Sequence, residues 1–257
     1  MIFRNQVRAR EELRAISNVI KSGVNGISIL LDARSGYGKT TLANLFISEF
    51  ENGYGGVWRS GPPGFYLNPS SRIVFMDEVH ELKRQENLYN YMDGDEHVFV
   101  FATNEVGKMN EPFINRCVPV IFSTYDNPDL LLIAHDTFKG KVPPEEVLQR
   151  FIEASNGNPR ELKMLCTRLQ MLTGIKGLKT VEEYFEVIER TLDIDTRGLQ
   201  YLDRKYMDYL ENSGGTASLT ALVYGTGIDK TTIQRTIEPR LIDRRIIRVT
   251  SKGRQLV

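Results

Sequence analysis

Residues Ile27–Leu42 read ISILLDARSGYGKTTL. A run of apolar and β-branched residues passes into a short segment with glycine at 36 and 38, and Lys-Thr-Thr then opens a second apolar run. The first run has the continuous hydrophobicity of a strand covered on both faces. The second, Thr40 to about Phe50, has helical spacing. Glycines between a strand and a helix let main-chain N–H groups wrap anionic oxygens, and the helix N-terminus adds a partial positive charge. Gly36, Tyr37, Gly38, Lys39, Thr40 and Thr41 are therefore the expected ATP-binding residues. Lys39 is expected to reach the β- and γ-phosphates, and Thr40 to help hold Mg²⁺. The full phosphate-loop pattern has glycine at the position of Ala33.

Three more buried-strand runs follow, Arg72–Glu78, Val98–Asn104 and Val118–Thr124, with a shorter candidate at Gly56–Ser60. An amphipathic helix over 8–24 precedes them, with Leu13, Ile16, Val19 and Ile20 at helical spacing. Strands alternating with helices predict an α/β fold with a mostly parallel sheet. The Gly/Pro/Ser-rich stretch Tyr54–Ser71 reads as a surface loop. Its Gly61-Pro62-Pro63-Gly64 is no phosphate loop, because no Lys-Thr follows.

After Tyr125 the pattern becomes helical, over Pro128–Phe138, Pro144–Ser155, Pro159–Leu172 and Val181–Leu192. The prolines suit first turns, and Gly140, Gly157 and Gly174 are expected stops. The last 60 or so residues read as three helices, Gln200–Asn212, Ser218–Tyr224 and Lys230–Ile242, and a basic hairpin, Ile246–Val257. That is the outline of a winged helix. The expected domains are 1–125, a nucleotide-binding α/β domain; 126–196, a helical lid; and 197–257, a winged-helix DNA-binding domain.

Two carboxylates end the run Ile73–His80, IVFMDEVH, about 40 residues after the phosphate loop. Asp77 is placed to bind Mg²⁺ and Glu78 to deprotonate the attacking water. Asn104 ends the next strand and can orient that water. Arg116, in Pro112–Cys117 (PFINRC), lies where oligomeric ATPases supply a charge to a neighbouring subunit's γ-phosphate. Arg160, in Asn158-Pro159-Arg160, opens a helix of the lid, from which it can reach back to the nucleotide.

These five pieces, in this order, resemble the AAA+ ATPase pattern. Within it the chain looks like the RuvB family, bacterial motors that drive Holliday-junction branch migration. The resemblance runs through Gly36–Ala43, Met76–Leu82, Glu86–Tyr89, Ala102–Asn104, Asn115-Arg116 and Gly157–Arg160. It continues in Gly198-Leu199, Leu202-Asp203, Asp208–Leu210, Gly214-Gly215, Glu238–Ile242 and Thr250–Arg254. It implies an AAA+ core with a helical lid and a winged helix, Arg116 as an arginine finger in trans, and a homo-oligomer with nucleotide between subunits, a hexamer-like ring or open spiral. One departure bears on partners. Asn104 follows Asp77 by only 27 positions, which leaves no room for the β-hairpin that docks RuvA in that family. RuvA is therefore not the expected partner, and another replication or recombination protein takes its place among the candidates.

Composition fits this picture. From residue 197 onward there are eleven Lys or Arg against six Asp or Glu, although the whole chain is neutral. A basic end on an acidic body points to an anionic partner, here DNA. Lys230, Thr231, Arg235, Arg240, Arg244 and Arg245 lie on or just after the third helix, which in a winged helix enters the major groove, and Arg248, Lys252 and Arg254 lie on the wing. A translocating protein should contact mainly the DNA backbone, so binding should depend on salt. Two separated cysteines and three histidines exclude a disulfide framework and an imidazole metal cluster. There is no signal-like N-terminal run and no apolar stretch of the about 20 residues needed to span a bilayer, so a cytoplasmic setting is expected. Three functions stay open: a DNA-moving ATPase motor, a helicase or replication-factor loader, and a nucleotide-gated initiator or regulator.

Overall fold

The computed structural model describes residues 5–50, 56–60 and 71–257; of residues 56–60, 71, 175 and 176 it describes the main chain. Most of Tyr54–Ser71 thus lies outside the described residues, apart from the expected strand at Gly56–Ser60 and Ser71 at the start of the next. The chain divides into two compact units, Met1–Tyr125 and Asp126–Val257.

The first unit contains, in chain order, α1 (Val7–Lys21), β1 (Ser28–Asp32), α2 (Lys39–Ser48), β2 (Gly56–Ser60), β3 (Ser71–Met76), α3 (Tyr89–Met92), β4 (Val98–Thr103), α4 (Glu111–Ile114) and β5 (Val118–Ile121). The five strands form one sheet in the order β2-β3-β4-β1-β5. Every pairing is parallel, for example Leu30 opposite Phe101 and Phe75 opposite Val100. Alternate side chains of a strand face opposite ways. Ile29, Leu31, Ile73, Phe75, Val98 and Val100 therefore join Leu13, Ile20, Phe46 and Ile47 of α1 and α2 in one core. Leu30, Val74, Met76, Phe99 and Phe101 join Leu88, Met92 and Phe113 in another. With both faces buried, β1, β3 and β4 must be apolar nearly throughout, which is why their runs are continuous in sequence.

The second unit contains α5 (Asn127–Thr137), α6 (Glu145–Ser155), α7 (Pro159–Lys176), α8 (Val181–Val187) with a π-helical turn at Ile188–Leu192, α9 (Tyr201–Asn212), β6 (Thr216–Ala217), α10 (Leu219–Thr226), α11 (Lys230–Thr232), a second π-helical turn (Ile233–Ile237), α12 (Glu238–Asp243), β7 (Ile247–Thr250) and β8 (Gly253–Leu256). Two expectations are corrected. Gly174 does not stop its helix: α7 runs on to Lys176, and Gly177, with φ 62°, takes the left-handed C-terminal cap that glycine favours. Pro144 is the N-cap of α6 rather than a first-turn residue. The C-terminal module has its own core, in which Leu199, Tyr206, Leu210, Leu222, Ile233, Ile237, Leu241 and Ile247 are buried. Its hairpin gains a third strand, giving the order β6-β8-β7. Gly253, at φ 121°, makes this possible, because a Cβ there would lie 2.4 Å from the Ala217 carbonyl oxygen.

Candidate active site

The phosphate-loop residues, the carboxylate pair and Asn104 all follow carboxyl ends of the parallel sheet, from β1, β3 and β4, and β4 lies between the other two. Ligands of open α/β sheets bind at that edge.

Gly36 and Gly38 have φ of 86° and 90°, so the loop uses the left-handed backbone that glycine provides. Ala33 is not among the residues with positive φ, which explains why a side chain is tolerated where the common pattern has glycine. Its N–H donates to the Thr103 carbonyl at 3.3 Å and so prolongs the β1–β4 ladder. Tyr37 contributes its main chain only: its ring is buried, edge-on to Tyr125 at 5.6 Å, and its carbonyl accepts the Tyr125 hydroxyl at 3.0 Å. Thr41 is half-buried in the first turn of α2.

Lys39 is only 6% exposed, and its Nζ donates to the Ala33 and Arg34 carbonyls at 2.7 and 3.3 Å. The ammonium is thus held inside the loop by main-chain oxygens. The Thr40 hydroxyl donates to Asp77 Oδ2 at 2.7 Å, and Asp77 Oδ1 accepts the Glu78 N–H at 3.0 Å. Thr40 and Asp77, 37 residues apart in sequence, therefore meet side by side. No group of three or more His, Cys, Asp or Glu side chains among the described residues forms a self-sufficient metal site.

Glu78 adopts φ 50°, ψ 45°, a left-handed backbone uncommon for residues other than glycine. Its Oε2 is buried without a hydrogen-bond partner, and so is Asn104 Oδ1. A buried acceptor left unpaired costs about 1–3 kcal/mol. Both residues follow strand ends on the sheet edge that also carries the Gly36–Lys39 loop. His80, which sequence reasoning passed over, lies behind Glu78: its side chain is 6% exposed, with Nδ1 3.5 Å from Glu78 Oε2 and 3.0 Å from the Thr103 hydroxyl. Asp32, at the end of β1, was also missed. Burial holds its carboxyl above the ordinary range, against the opposing charge of Lys39.

Arg116 directly follows α4 and forms a two-pronged ion pair with Asp93, at 2.8 and 3.0 Å. Arg160 belongs to the second unit, exposed in the first turn of α7, where its N–H is capped by Asn158 Oδ1 at 3.0 Å.

The basic residues of the C-terminal module fall into two groups. Lys230, Thr231, Arg235, Arg245, Arg248 and Lys252 are exposed. Arg254 is not the solvent-facing wing cation expected: it donates to both carboxylate oxygens of the buried Glu238, at 2.7 and 3.3 Å. Arg244 is half-buried and donates to the Arg197 and Gly198 carbonyls. Arg240 is 6% exposed and bridges Asp203 at 2.9 Å and Glu161 of α7 at 3.0 Å. These three arginines are thus engaged by groups of the second unit instead of facing solvent as expected. The cysteines play no part, since burial pushes both thiols up to about 12.

Residues 196–257 match the RuvB C-terminal winged helix domain, and residues 65–125 match the ATPase family associated with various cellular activities (AAA). The Holliday junction branch migration complex subunit RuvB of Oenococcus oeni is 27% identical over 88% of this chain and 78% of its own length. The subunit of the same name from Chlorobium chlorochromatii is 25% identical over 98% of this chain and 82% of its own. Among solved structures, the Thermotoga maritima RuvB Holliday junction branch migration motor superposes with a TM-score of 0.77 at 21% identity, covering 99% of this chain and 93% of that one. This last likeness speaks to the fold. Both family matches, the nucleotide cradle and relatives spanning most of the chain agree: this is a divergent RuvB-like protein, an AAA ATP hydrolase that carries a RuvB-type winged-helix domain.

Proposed function

We propose that the chain couples ATP hydrolysis to movement along, or remodelling of, DNA, as a cytoplasmic homo-oligomer with nucleotide at its subunit interfaces, in a hexamer-like ring or open spiral. The observation that carries this reading is the meeting of Thr40 with Asp77 beside the Gly36–Lys39 loop, with Glu78 Oε2 and Asn104 Oδ1 buried and not hydrogen-bonded, in a chain that also bears a winged helix with exposed cations. A winged helix alone suits a regulator; acceptors kept for a water suit turnover.

Lys39 would exchange the Ala33 and Arg34 carbonyls for β- and γ-phosphate oxygens, and the main-chain N–H groups around Gly36–Gly38 would complete the cradle. Thr40 and Asp77 would share Mg²⁺, which when bound neutralises phosphate charge. Glu78 would take the proton of the attacking water and Asn104 would orient that water. Arg116 would serve the neighbouring subunit's site. Arg160, in a helical lid over 126–196, would link the nucleotide to motion of the lid and of the winged helix over 197–257. Lys230, Thr231 and Arg235 would contact DNA through the third helix, Arg245 just beyond it, and Arg248 and Lys252 through the wing, mainly at phosphates.

A second reading, a loader that uses ATP to place a replication or recombination protein on DNA, is favoured by the short link between α3 and β4. Five residues, Asp93–His97, join them, where the RuvA-docking hairpin of the resembled family would be inserted. On either reading, coupling to RuvA is not expected. The two are separated by incubating the chain alone with ATP and a labelled synthetic four-way junction, with Glu78→Gln as control. Strand separation lost in the variant supports the motor. Junction binding with no separation at any protein concentration rejects the motor and leaves the loader.

A further inference from the structure

The berth of Arg116 goes beyond these roles. All three guanidinium nitrogens are engaged within its own subunit. Nε donates to Asp93 Oδ1 at 2.8 Å, Nη2 to Asp93 Oδ2 at 3.0 Å, and Nη1 to the Pro112 carbonyl at 2.8 Å. The guanidinium carbon also lies 4.4 Å from the centroid of the Tyr89 ring. Tyr89 in turn packs on the fully buried Phe113, with centroids 6.4 Å apart, so the ring face belongs to the layer that α3 and α4 form on the sheet.

We infer that Asp93 is a latch for the arginine finger: in the separate subunit it occupies the anion-binding face of Arg116, and on assembly it is exchanged for a phosphate of the neighbour's nucleotide. The inference rests on the reading of Arg116 as a residue that acts in trans. Three features support exchange over a permanent structural pair. A carboxylate presents two oxygens to the guanidinium fork much as a phosphate does, so the two anions compete for the same donors. The Asp93 and Arg116 side chains keep 54% and 31% of their exposure, so water screens the pair and neither partner is stranded when it opens. Arg240 is the contrast within this chain: its side chain and that of Asp203 are 7% and 2% exposed, so that pair cannot open without leaving a buried charge. Tyr89 holds the guanidinium by its face and takes none of its N–H donors, so it can keep the arginine in place while the anion changes.

The latch lies in the five-residue link that joins α3 to β4, so the shortness of that link and the control of the finger share one segment. The hydrogen bond from Arg116 holds the Asp93 carboxyl below the ordinary carboxylate range, so the latch stays charged at neutral pH.

The test is steady-state ATPase of the full chain as a function of protein concentration, for wild type, Asp93→Ala and Asp93→Asn, each with Arg116 intact and with Arg116→Ala. Asp95→Asn, a neighbouring exposed acid, controls for bulk charge. The latch predicts that Asp93→Ala and Asp93→Asn lower the concentration for half-maximal turnover by about two- to fivefold, the range open to an exposed pair. Asp95→Asn should leave it unchanged, and the gain should vanish without Arg116. A half-maximal concentration that is unchanged or raised overturns the latch. So does a gain that survives Arg116→Ala or is shared by Asp95→Asn. If Arg116→Ala alone turns over like wild type, the trans reading of Arg116 has failed, a result distinguishable from a silent Asp93.

Discussion

Replacing Arg240 by methionine separates a structural arginine from a DNA-reading one. Arg240 lies near the end of the third winged-helix helix, where a basic residue is readily taken for a DNA contact. It is instead 6% exposed, between Asp203 of α9, 1% exposed, and Glu161 of α7. Methionine fills a similar length but leaves the buried Asp203 carboxylate without its arginine, beside the Gln200 N–H at 3.0 Å. Breaking a buried pair from one side costs about 3–5 kcal/mol, well above the worth of a surface pair. For a unit of this size that corresponds to a fall in melting temperature of about 4 °C per kcal/mol, roughly 12–20 °C in all. The assay is thermal unfolding of the full chain by circular dichroism, with DNA affinity measured well below the transition. The expected result is a large loss of stability with affinity within about twofold of wild type. Loss of DNA affinity with an unchanged melting temperature would refute the structural assignment.

Glu78→Gln should keep nucleotide affinity and lower turnover by about 10²–10⁴-fold, read by pairing a fluorescent-nucleotide titration with phosphate release; near-normal turnover would mean that another base acts. Arg248→Glu with Lys252→Glu should weaken binding to unrelated DNA sequences alike and flatten the salt dependence by about one unit of slope per lost phosphate contact, whereas Arg254→Met should mainly lower stability by leaving the buried Glu238 carboxylate without its arginine; equal salt slopes for the wing variant and wild type would remove the wing from the DNA surface. Burial holds the Glu161 carboxyl above its ordinary value of 4.5, against the opposing charge of Arg240. Its folded form therefore binds a proton more readily than its unfolded form, and its contribution to stability, full below 4.5, is lost as pH rises through the raised value. Glu161→Gln should flatten that limb of the melting temperature as pH rises above 4.5; a wild-type-minus-variant difference that does not change with pH rejects the assignment.

The inner strands were legible because both their faces are buried, which forces unbroken apolar runs such as Ile29–Leu31 and Val98–Ala102. The phosphate loop and carboxylate pair were legible because their chemistry fixes residue type at short spacing. Other features depend on distant partners. Arg254, Arg240 and Arg244 read as available charge, yet their partners lie 16 to 79 residues away, at Glu238, at Asp203 and Glu161, and at the 197–198 carbonyls. A count of charges cannot tell a paired arginine from a solvent-facing one. The Asp93 berth was hidden for the same reason, since it lies 23 residues from Arg116. β6 is two residues long, too short to show any alternation. Gly174 looked like a stop because glycine costs a helix about 1 kcal/mol, but α7 continues through it and ends at Gly177, which takes the left-handed conformation. The π-helical turn at Ile233–Ile237 has no counterpart in simple hydrophobic periodicity.

The most direct test of the central claim is steady-state ATPase of the purified chain with and without four-way, forked and single-stranded DNA. The account predicts hydrolysis that depends on Lys39 and Glu78 and rises when DNA is added, most with the structure the winged helix engages. Hydrolysis that is indifferent to every DNA, in a protein shown to bind those DNAs, would contradict coupling between the nucleotide site and the winged helix.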